Sequence, residues 1–354
     1  MPSVIIMAGG VGERFWPISR QENPKQFLQI ADDKTLLEAT FERAKKIVSP
    51  ERIFVFTTQP FVEQIQLLLP IPKENVVGEP YSRNTAPSLG LCVLKLIEKL
   101  GEDTVAVLPC DHMIQDENKF LQEMFNSFDF LTKNKAIVTF GIVPNYPETE
   151  YGYIEKDSSS PVLSSYPIFK VKKFIEKPRL DKAQEFVLSG NYLWNSGILI
   201  FNTSFFMEQY KKYLPNIYDG LANTIMKTSD EEIIKKTYER FPKISLAYGL
   251  LENMNDIFVM EVNFSWYILS TWLSLENIHD TDRNGNVIIK GEFLGVDTKD
   301  SMIYTDDGLI ATIGVNNLII AKSGNAILIC NKEQSREIKN LVKKLDTYGQ
   351  NKYK

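Results

Sequence analysis

Apolar residues in the first half of the chain come in short blocks separated by amphipathic stretches. Residues 4–8 form an unbroken apolar run that predicts a buried strand, followed at once by Gly9-Gly10-Val11-Gly12. Leu36, Leu37, Thr40, Ala44, Ile47 and Val48 recur at helical spacing. Residues 53–57 predict a second strand, 89–97 a mostly apolar helix, 105–108 a third strand and 137–140 a fourth. Strands alternating with helices imply βαβ units and an α/β fold with a doubly wound, mostly parallel sheet. In such sheets ligands bind beyond the carboxyl ends of the strands. From about Ser164 to Trp272, strand-like stretches (168–175, 197–201) and helical ones (183–188, 231–239) continue the same domain.

After Leu275 the pattern changes. Residues 287–289, 293–296, 302–304, 309–313, 318–321 and 326–330 are short β-type blocks punctuated by Gly, Asn and Asp. They predict a small all-β appendage, a coiled stack of strands. Ile338, Leu341, Val342 and Leu345 then give the stripe of a terminal amphipathic helix, a docking face for the β part or for a partner subunit. The expected organisation is one α/β domain over residues 1–275 and a β appendage with its helix over 276–354.

Composition narrows the partners. Across 354 residues, 40 Lys and Arg oppose 45 Asp and Glu, a net charge of −5, which gives no electrostatic reason to expect nucleic acid. Cys92, Cys110 and Cys330 are far apart and form no CxxC pair, so neither a disulfide framework nor a zinc site is indicated. They fit a reducing cytoplasm. The early apolar run has no basic residues before it and is too short for a secretory signal. No stretch reaches the roughly 18–20 apolar residues of a membrane span.

The glycine turn at residues 9–12 follows a strand directly. Glycines let backbone N–H groups approach phosphate oxygens closely. A Walker loop needs Gly-Lys-Ser/Thr at its end, where Glu13-Arg14 stands; a dinucleotide fingerprint needs glycine at 15, where Phe15 stands. A tight packing turn accounts for one or two glycines, but not for three followed by Arg14 and Lys25. Arg14 and Lys25 can alternatively be read as solvated charges, Asp111 as a helix cap, and Glu176-Lys177 as an exposed ion pair of small value. Trp194, Trp266 and Trp272 read as packing residues. His112 and His279 support neither a metal site nor a hydrolytic triad.

The stretch from Met7 to Leu28, with Phe15-Trp16-Pro17 and Pro24-Lys25-Gln26-Phe27, resembles the signature of sugar-1-phosphate nucleotidylyltransferases, and within them of the mannose-1-phosphate guanylyltransferases. Further blocks agree in order: Glu79-Pro80, Arg83-Asn84-Thr85-Ala86-Pro87, Leu108-Pro109-Cys110-Asp111-His112, Gly141-Ile142 with Tyr151-Gly152-Tyr153, Phe174-Ile175-Glu176-Lys177-Pro178 and Trp194-Asn195-Ser196-Gly197. The resemblance implies a Rossmann-like nucleotidyltransferase domain followed by a left-handed β-helix-like domain. It implies GMP transfer from GTP to mannose-1-phosphate, giving GDP-mannose and pyrophosphate, in a homodimer. By resemblance the catalytic residues are Arg14, Lys25 and Asp111, the last also binding Mg2+. Ala8, Gly9, Gly10, Gly12, Glu79, Asn84, Thr85 and Pro109 meet the nucleotide. Gly141, Gly152, Glu176, Lys177 and Asn195 meet the sugar phosphate.

Two positions depart from the family pattern. Where it has Trp-x-Asp-x-Gly-x-Trp, this chain has Ile268 between Trp266 and Trp272, and where it has Ser-Ile-Asp-Tyr, Ala247 replaces the acid. Magnesium takes oxygen ligands, and isoleucine supplies none. A weakened metal site is therefore expected. The alternative reading is a catalytically impaired, nucleotide-sugar-binding regulatory homologue.

Overall fold

In the computed structural model, residues 1–161 and 166–354 are described; the boundary expected near Ser164 lies outside them. The strands in chain order are β1 Ser3–Met7, β2 Ile53–Thr58, β3 Val76–Glu79, β4 Thr104–Pro109, β5 His112–Ile114, β6 Ile137–Ile142, β7 Tyr153–Pro161, β8 Ile168–Ile175, β9 Tyr192–Asn202, β10 Ile257–Val262, β11 Trp266–Ile268, β12 Val287–Val296, β13 Met302–Ile313, β14 Leu318–Ser323 and β15 Ala326–Asn331. They belong to two compact units that interleave along the chain. The first unit is Met1–Gly9, Phe41–Pro109 and Ile114–Ser265; the second is Gly10–Thr40, Cys110–Met113 and Trp266–Lys354.

The first unit is built on a nine-stranded sheet of order β3-β2-β1-β4-β9-β6-β10-β8-β7, with β7 also pairing β9. Its β3-β2-β1-β4 half is parallel, as the alternating pattern predicts. Val4, Ile5 and Ile6 are wholly buried, as expected for a parallel strand covered on both faces. The sheet as a whole is mixed rather than mostly parallel. β9 runs antiparallel to β4 and β6, and β7 antiparallel to β8 and β9. The cause is connection length. Parallel neighbours need a crossover of about a dozen residues or more, and only residues 162–167 separate β7 from β8. Phe54, Phe56, Val105 and Phe201 from the sheet pack with Leu89, Val93 and Leu96 of the helix Thr85–Leu100 and Phe206 of the helix Thr203–Tyr213.

In the second unit β12, β13 and β14 run parallel and β15 returns antiparallel. The separate blocks expected at 287–289 and 293–296 are two legs of the single strand β12, and 302–304 and 309–313 are two legs of β13. Register shifts between Ile288 and Glu292 mark the corner. Gly291 sits there at φ +92°, where a Cβ would lie 2.2 Å from Thr305 Cγ2, so only glycine fits. The terminal helix Ile338–Thr347 buries Ile338 and Val342 in a cluster with Val287, Met302 and Ile319, and Leu345 packs against it. The predicted stripe thus docks on the β part, with Leu341 left 42% exposed. Phe15, Trp16, Ile18, Leu28 and Ile30 belong to the same cluster.

Candidate active site

In the second unit the glycine turn, Lys25 and Asp111 are brought together. Gly12 adopts φ +75°, and a Cβ there would lie 2.5 Å from Lys25 Cβ; at Gly10 it would lie 2.9 Å from Lys25 Cε. The lysine stem therefore lies directly on the turn, which explains why glycine occupies both positions. Two further contacts fix the arrangement: Ser19 Oγ donates to the Val11 carbonyl at 2.6 Å, and the Lys25 N–H donates to the same carbonyl at 3.4 Å. At the far end of the stem, Lys25 Nζ is ion-paired to Asp111 Oδ2, with 17% and 14% of the two side chains exposed.

Opposing forces act on this pair. Burial, and more weakly the Arg14 charge, push the Lys25 ammonium towards neutrality, but Asp111 outweighs them and holds its pKa above the ordinary 10.5. Burial likewise pushes the Asp111 carboxyl up, while Lys25 and His112 together hold it below the usual carboxylate range. Both groups stay charged at neutral pH, and Arg14 lies within electrostatic reach of Lys25. The readings of Lys25 as a solvated surface charge and of Asp111 as a helix cap are set aside. Asp111 precedes β5, and the next helix, Glu117–Lys133, has Asp116 at its N-cap.

Strand β11 pairs with β5, and the Leu269 N–H donates to the Asp111 carbonyl at 2.8 Å. Ile268 thus belongs to the segment bonded to the Asp111 backbone, where the resemblance expects a second carboxylate. Among the described residues no group of three or more His, Cys, Asp or Glu side chains could hold a metal ion. One carboxylate already engaged by a lysine, next to an isoleucine, does not make a magnesium cage. These residues do not fit an ion held by the protein alone.

The first unit carries the remaining predicted residues in three places. At the end of β1, Ala8 is wholly buried, donates its N–H to Phe56 O at 2.8 Å and accepts from Thr57 Oγ1 at 3.0 Å; beside Gly9 a Cβ would find nothing closer than Phe56 at 3.9 Å. Pro109 ends β4, in register with Met7 of β1.

At the end of β3, Glu79 is buried. Its carboxyl accepts from Tyr238 Oη at 2.7 Å and Ser88 Oγ at 3.0 Å. Burial pushes its pKa up to about 7 against the hydrogen bonds of Tyr238, Ser88 and the Arg83 backbone. Its polar capacity goes to the interior. Asn84 caps the helix Thr85–Leu100 at φ 70°, its Oδ1 accepting from the Thr85 N–H. Thr85 Oγ1 accepts from the Leu246 N–H at 2.9 Å, which ties this block to the turn carrying Ala247.

In the third place, Gly152, Glu176 and Asn195 converge. The Asn195 N–H donates to Gly152 O at 2.8 Å, and a Cβ on Gly152 would lie 3.0 Å from Glu176 Oε2. Burial, and then the charge of Glu176, raise the pKa of Glu252. Lys177, at φ 45°, lies 3.8 Å from Glu150. Gly141 pairs with Asn195, but a Cβ there would lie 2.5 Å from Val259 and 2.6 Å from Leu193, so sheet packing already demands glycine. Ser19, Ser88, Tyr238 and Glu252 were not singled out as site residues from sequence. Ser88 lies one turn into the helix begun at Asn84, a spacing that could have flagged it; Tyr238 is 159 residues from Glu79 and carries no local signal. Trp194, Trp266 and Trp272 are buried, as packing residues should be.

Residues 3–284 match the family model described as nucleotidyl transferase, and residues 291–345 match a mannose phosphate isomerase/GMP-like β-helix domain. The chain belongs to the nucleotidyl transferase family. The mannose-1-phosphate guanylyltransferase of Salmonella muenchen is 33% identical over 358 residues, covering 99% of this chain and 74% of the relative. The alginate biosynthesis protein AlgA of Pseudomonas putida is also 33% identical, over 98% of this chain and 72% of its own. A crystal structure from Thermus thermophilus, described as a mannose-1-phosphate geranyltransferase, superposes with a TM-score of 0.86 at 31% identity, covering 98% of this chain and 99% of that one. The family member is thus a nucleotidyltransferase with a C-terminal β domain. No helix among the described residues is long and apolar enough to cross a membrane.

Proposed function

We propose that this nucleotidyltransferase moves GMP from GTP to mannose-1-phosphate, giving GDP-mannose and pyrophosphate. The observation that carries the reading is Lys25, laid along a glycine turn whose Gly12 leaves no room for a side chain, and held charged by Asp111. The names of the relatives supply the base and the sugar. A phosphate oxygen of the sugar phosphate attacks the α-phosphorus in line, and the bond from that phosphorus to the bridging oxygen of pyrophosphate breaks. Such transfers need little covalent help; positioning and neutralised charge account for most of the acceleration. Arg14 and Lys25 supply positive charge to the triphosphate. Asp111 keeps Lys25 ionised and in place. Amides of residues 9–12 meet phosphate oxygens, Asn84 and Thr85 bind the nucleoside, Glu176 and Asn195 bind sugar hydroxyls, and Lys177 meets the sugar phosphate. We further propose that the enzyme works in the cytoplasm as a homodimer. No step is assigned to an ion held by the protein alone.

The test is pyrophosphate release by purified protein with GTP, mannose-1-phosphate and magnesium, run beside ATP and glucose-1-phosphate. Release that requires both GTP and mannose-1-phosphate supports the reading. Equal release with either control pair would overturn the assigned substrates. Ile268 beside Asp111 favours a second reading, a regulatory homologue that binds the nucleotide sugar without making it. On that reading GDP-mannose binds but pyrophosphate does not appear, and Ile268→Asp restores release.

A further inference from the structure

Residues 10–35 contain Arg14 and Lys25 yet form only two single 3-10 turns, Glu13–Phe15 and Lys25–Phe27. A loop this long without structure of its own has to be fixed by its surroundings. Short-range turn bonds and two contacts at Val11, those of Ser19 and Lys25, hold it from within, and Lys25 reaches Asp111. Further contacts come from the last part of the chain. The Trp16 indole N–H donates to the Tyr353 carbonyl at 2.7 Å, and the Trp272 indole N–H donates to the Trp16 carbonyl at 3.1 Å. The Gln21 N–H donates to the Lys354 carbonyl at 3.2 Å, and the Arg20 guanidinium donates to Ser323 O at 2.7 Å. Phe15 meets Trp272 edge to face with ring centroids 6.0 Å apart, and Ile338 and Val342 of the terminal helix complete the packing.

Trp16 is the centre of this network. It is held through both its side chain and its carbonyl, two residues from Arg14. We propose that the segment from Ile338 to Lys354 is a brace that sets the position of the phosphate-binding loop, with Trp16 as the positioning residue through which it acts. The proposal rests on the nucleotidyl-transfer reading for its catalytic consequence. Its structural content stands on the bonds to Trp16 and Gln21. A tail that merely adds stability would alter melting and leave the rate of folded enzyme unchanged. A brace alters where the charges on the loop stand while the rest of the fold persists.

Two full-length variants and one shortened one test this. Trp16→Phe and Trp272→Phe each remove one indole N–H and keep most of the ring volume. Removing residues 351–354 takes away both tail carbonyls together with the Tyr353 ring at the edge of the cluster, leaves Ile338 and Val342 in place, and serves if either point variant fails to fold. The expected result is a fall in kcat for pyrophosphate release of about tenfold, as loss of one well-placed hydrogen bond allows, with a smaller change in KM for GTP. Faster amide hydrogen exchange at Gly10–Arg14 should accompany it, with protection in β1 and β4 unchanged. Unchanged kcat and unchanged exchange at Gly10–Arg14 in folded variants would overturn the brace. If the unaltered protein releases no pyrophosphate from any nucleotide, the functional reading fails by itself, and the exchange at Gly10–Arg14 still decides the brace.

Discussion

The Lys25–Asp111 pair shows how one residue carries two duties at once. Its charge is proposed to serve the phosphates, and it also pairs the mostly buried Asp111 carboxylate. Lys25→Met is expected to lower turnover by about 10²–10³-fold, the range seen when a preorganised charge or donor is removed. It should also cost about 3 kcal/mol of stability, because Asp111 is left mostly buried and unpaired. Lys25→Met combined with Asp111→Asn should recover stability but not activity, as urea unfolding and pyrophosphate release would show together. Glu79 titrates in the opposite sense to a surface carboxylate. Its folded pKa of about 7 lies above the ordinary 4.5, so the stability it contributes is present below about pH 4.5 and is lost as pH rises through 7. Glu79→Gln keeps an acceptor for Tyr238 and Ser88 but cannot ionise. At pH 8 this variant should be the more stable by about 2–3 kcal/mol, and its unfolding free energy should lose the downward slope between pH 4.5 and 7.

At the scale of elements, the phosphate-side turn and the parallel strands were legible because their signals are local. An apolar run followed by three glycines specifies β1 and its turn within ten residues. The nature of β12 and β13 was not, because a coiled strand that bends at a corner looks in sequence like two strands with a gap. Gly291 was the missed signal: its φ of +92° makes the corner and keeps the legs continuous. Gly291→Ala should therefore lower the melting temperature by several degrees, through a strain of about 1–3 kcal/mol, while the nucleotide binding of folded protein is retained. The antiparallel half of the first sheet was illegible for a different reason. Its direction is set by the short β7–β8 connection and by β9 reaching between β4 and β6, and neither leaves a mark in the hydrophobic pattern. Of the candidate site, Gly152, Glu176 and Asn195 were named from sequence and do meet, whereas Glu79, expected at the nucleotide, accepts from Tyr238 and Ser88.

At the scale of the whole molecule, the β appendage leaves apolar side chains in water. Leu294, Val296, Leu309 and Ile313 are each more than half exposed. β14 meets β13 over Met302–Thr305, so beyond the corner Leu294–Ala311 and Val296–Ile313 form rungs of a two-stranded ribbon. A ribbon of two strands is marginal in water, and a matching ribbon on a second copy would cover its apolar rungs. For the proposed dimer, Ile313→Asp should shift the sedimenting species towards monomer; a wild-type protein that sediments as a monomer at micromolar concentration would refute that proposal.

The interleaving of the chain also has a consequence for its birth on the ribosome. Trp16 leaves the exit tunnel 256 residues before Trp272, the partner that fixes its carbonyl. At about 5–20 residues per second that is roughly 13–50 s. Through that interval the nascent loop carries Phe15, Trp16 and Ile18 without Trp272 and the later residues that complete their cluster. Holding chaperones are therefore expected to bind the growing chain at this loop, which gains its full set of contacts only after Trp272 and the helix that follows have emerged. Ribosome-stalled chains halted before Leu269 should be cut by protease near Phe15, and released full-length chains should resist.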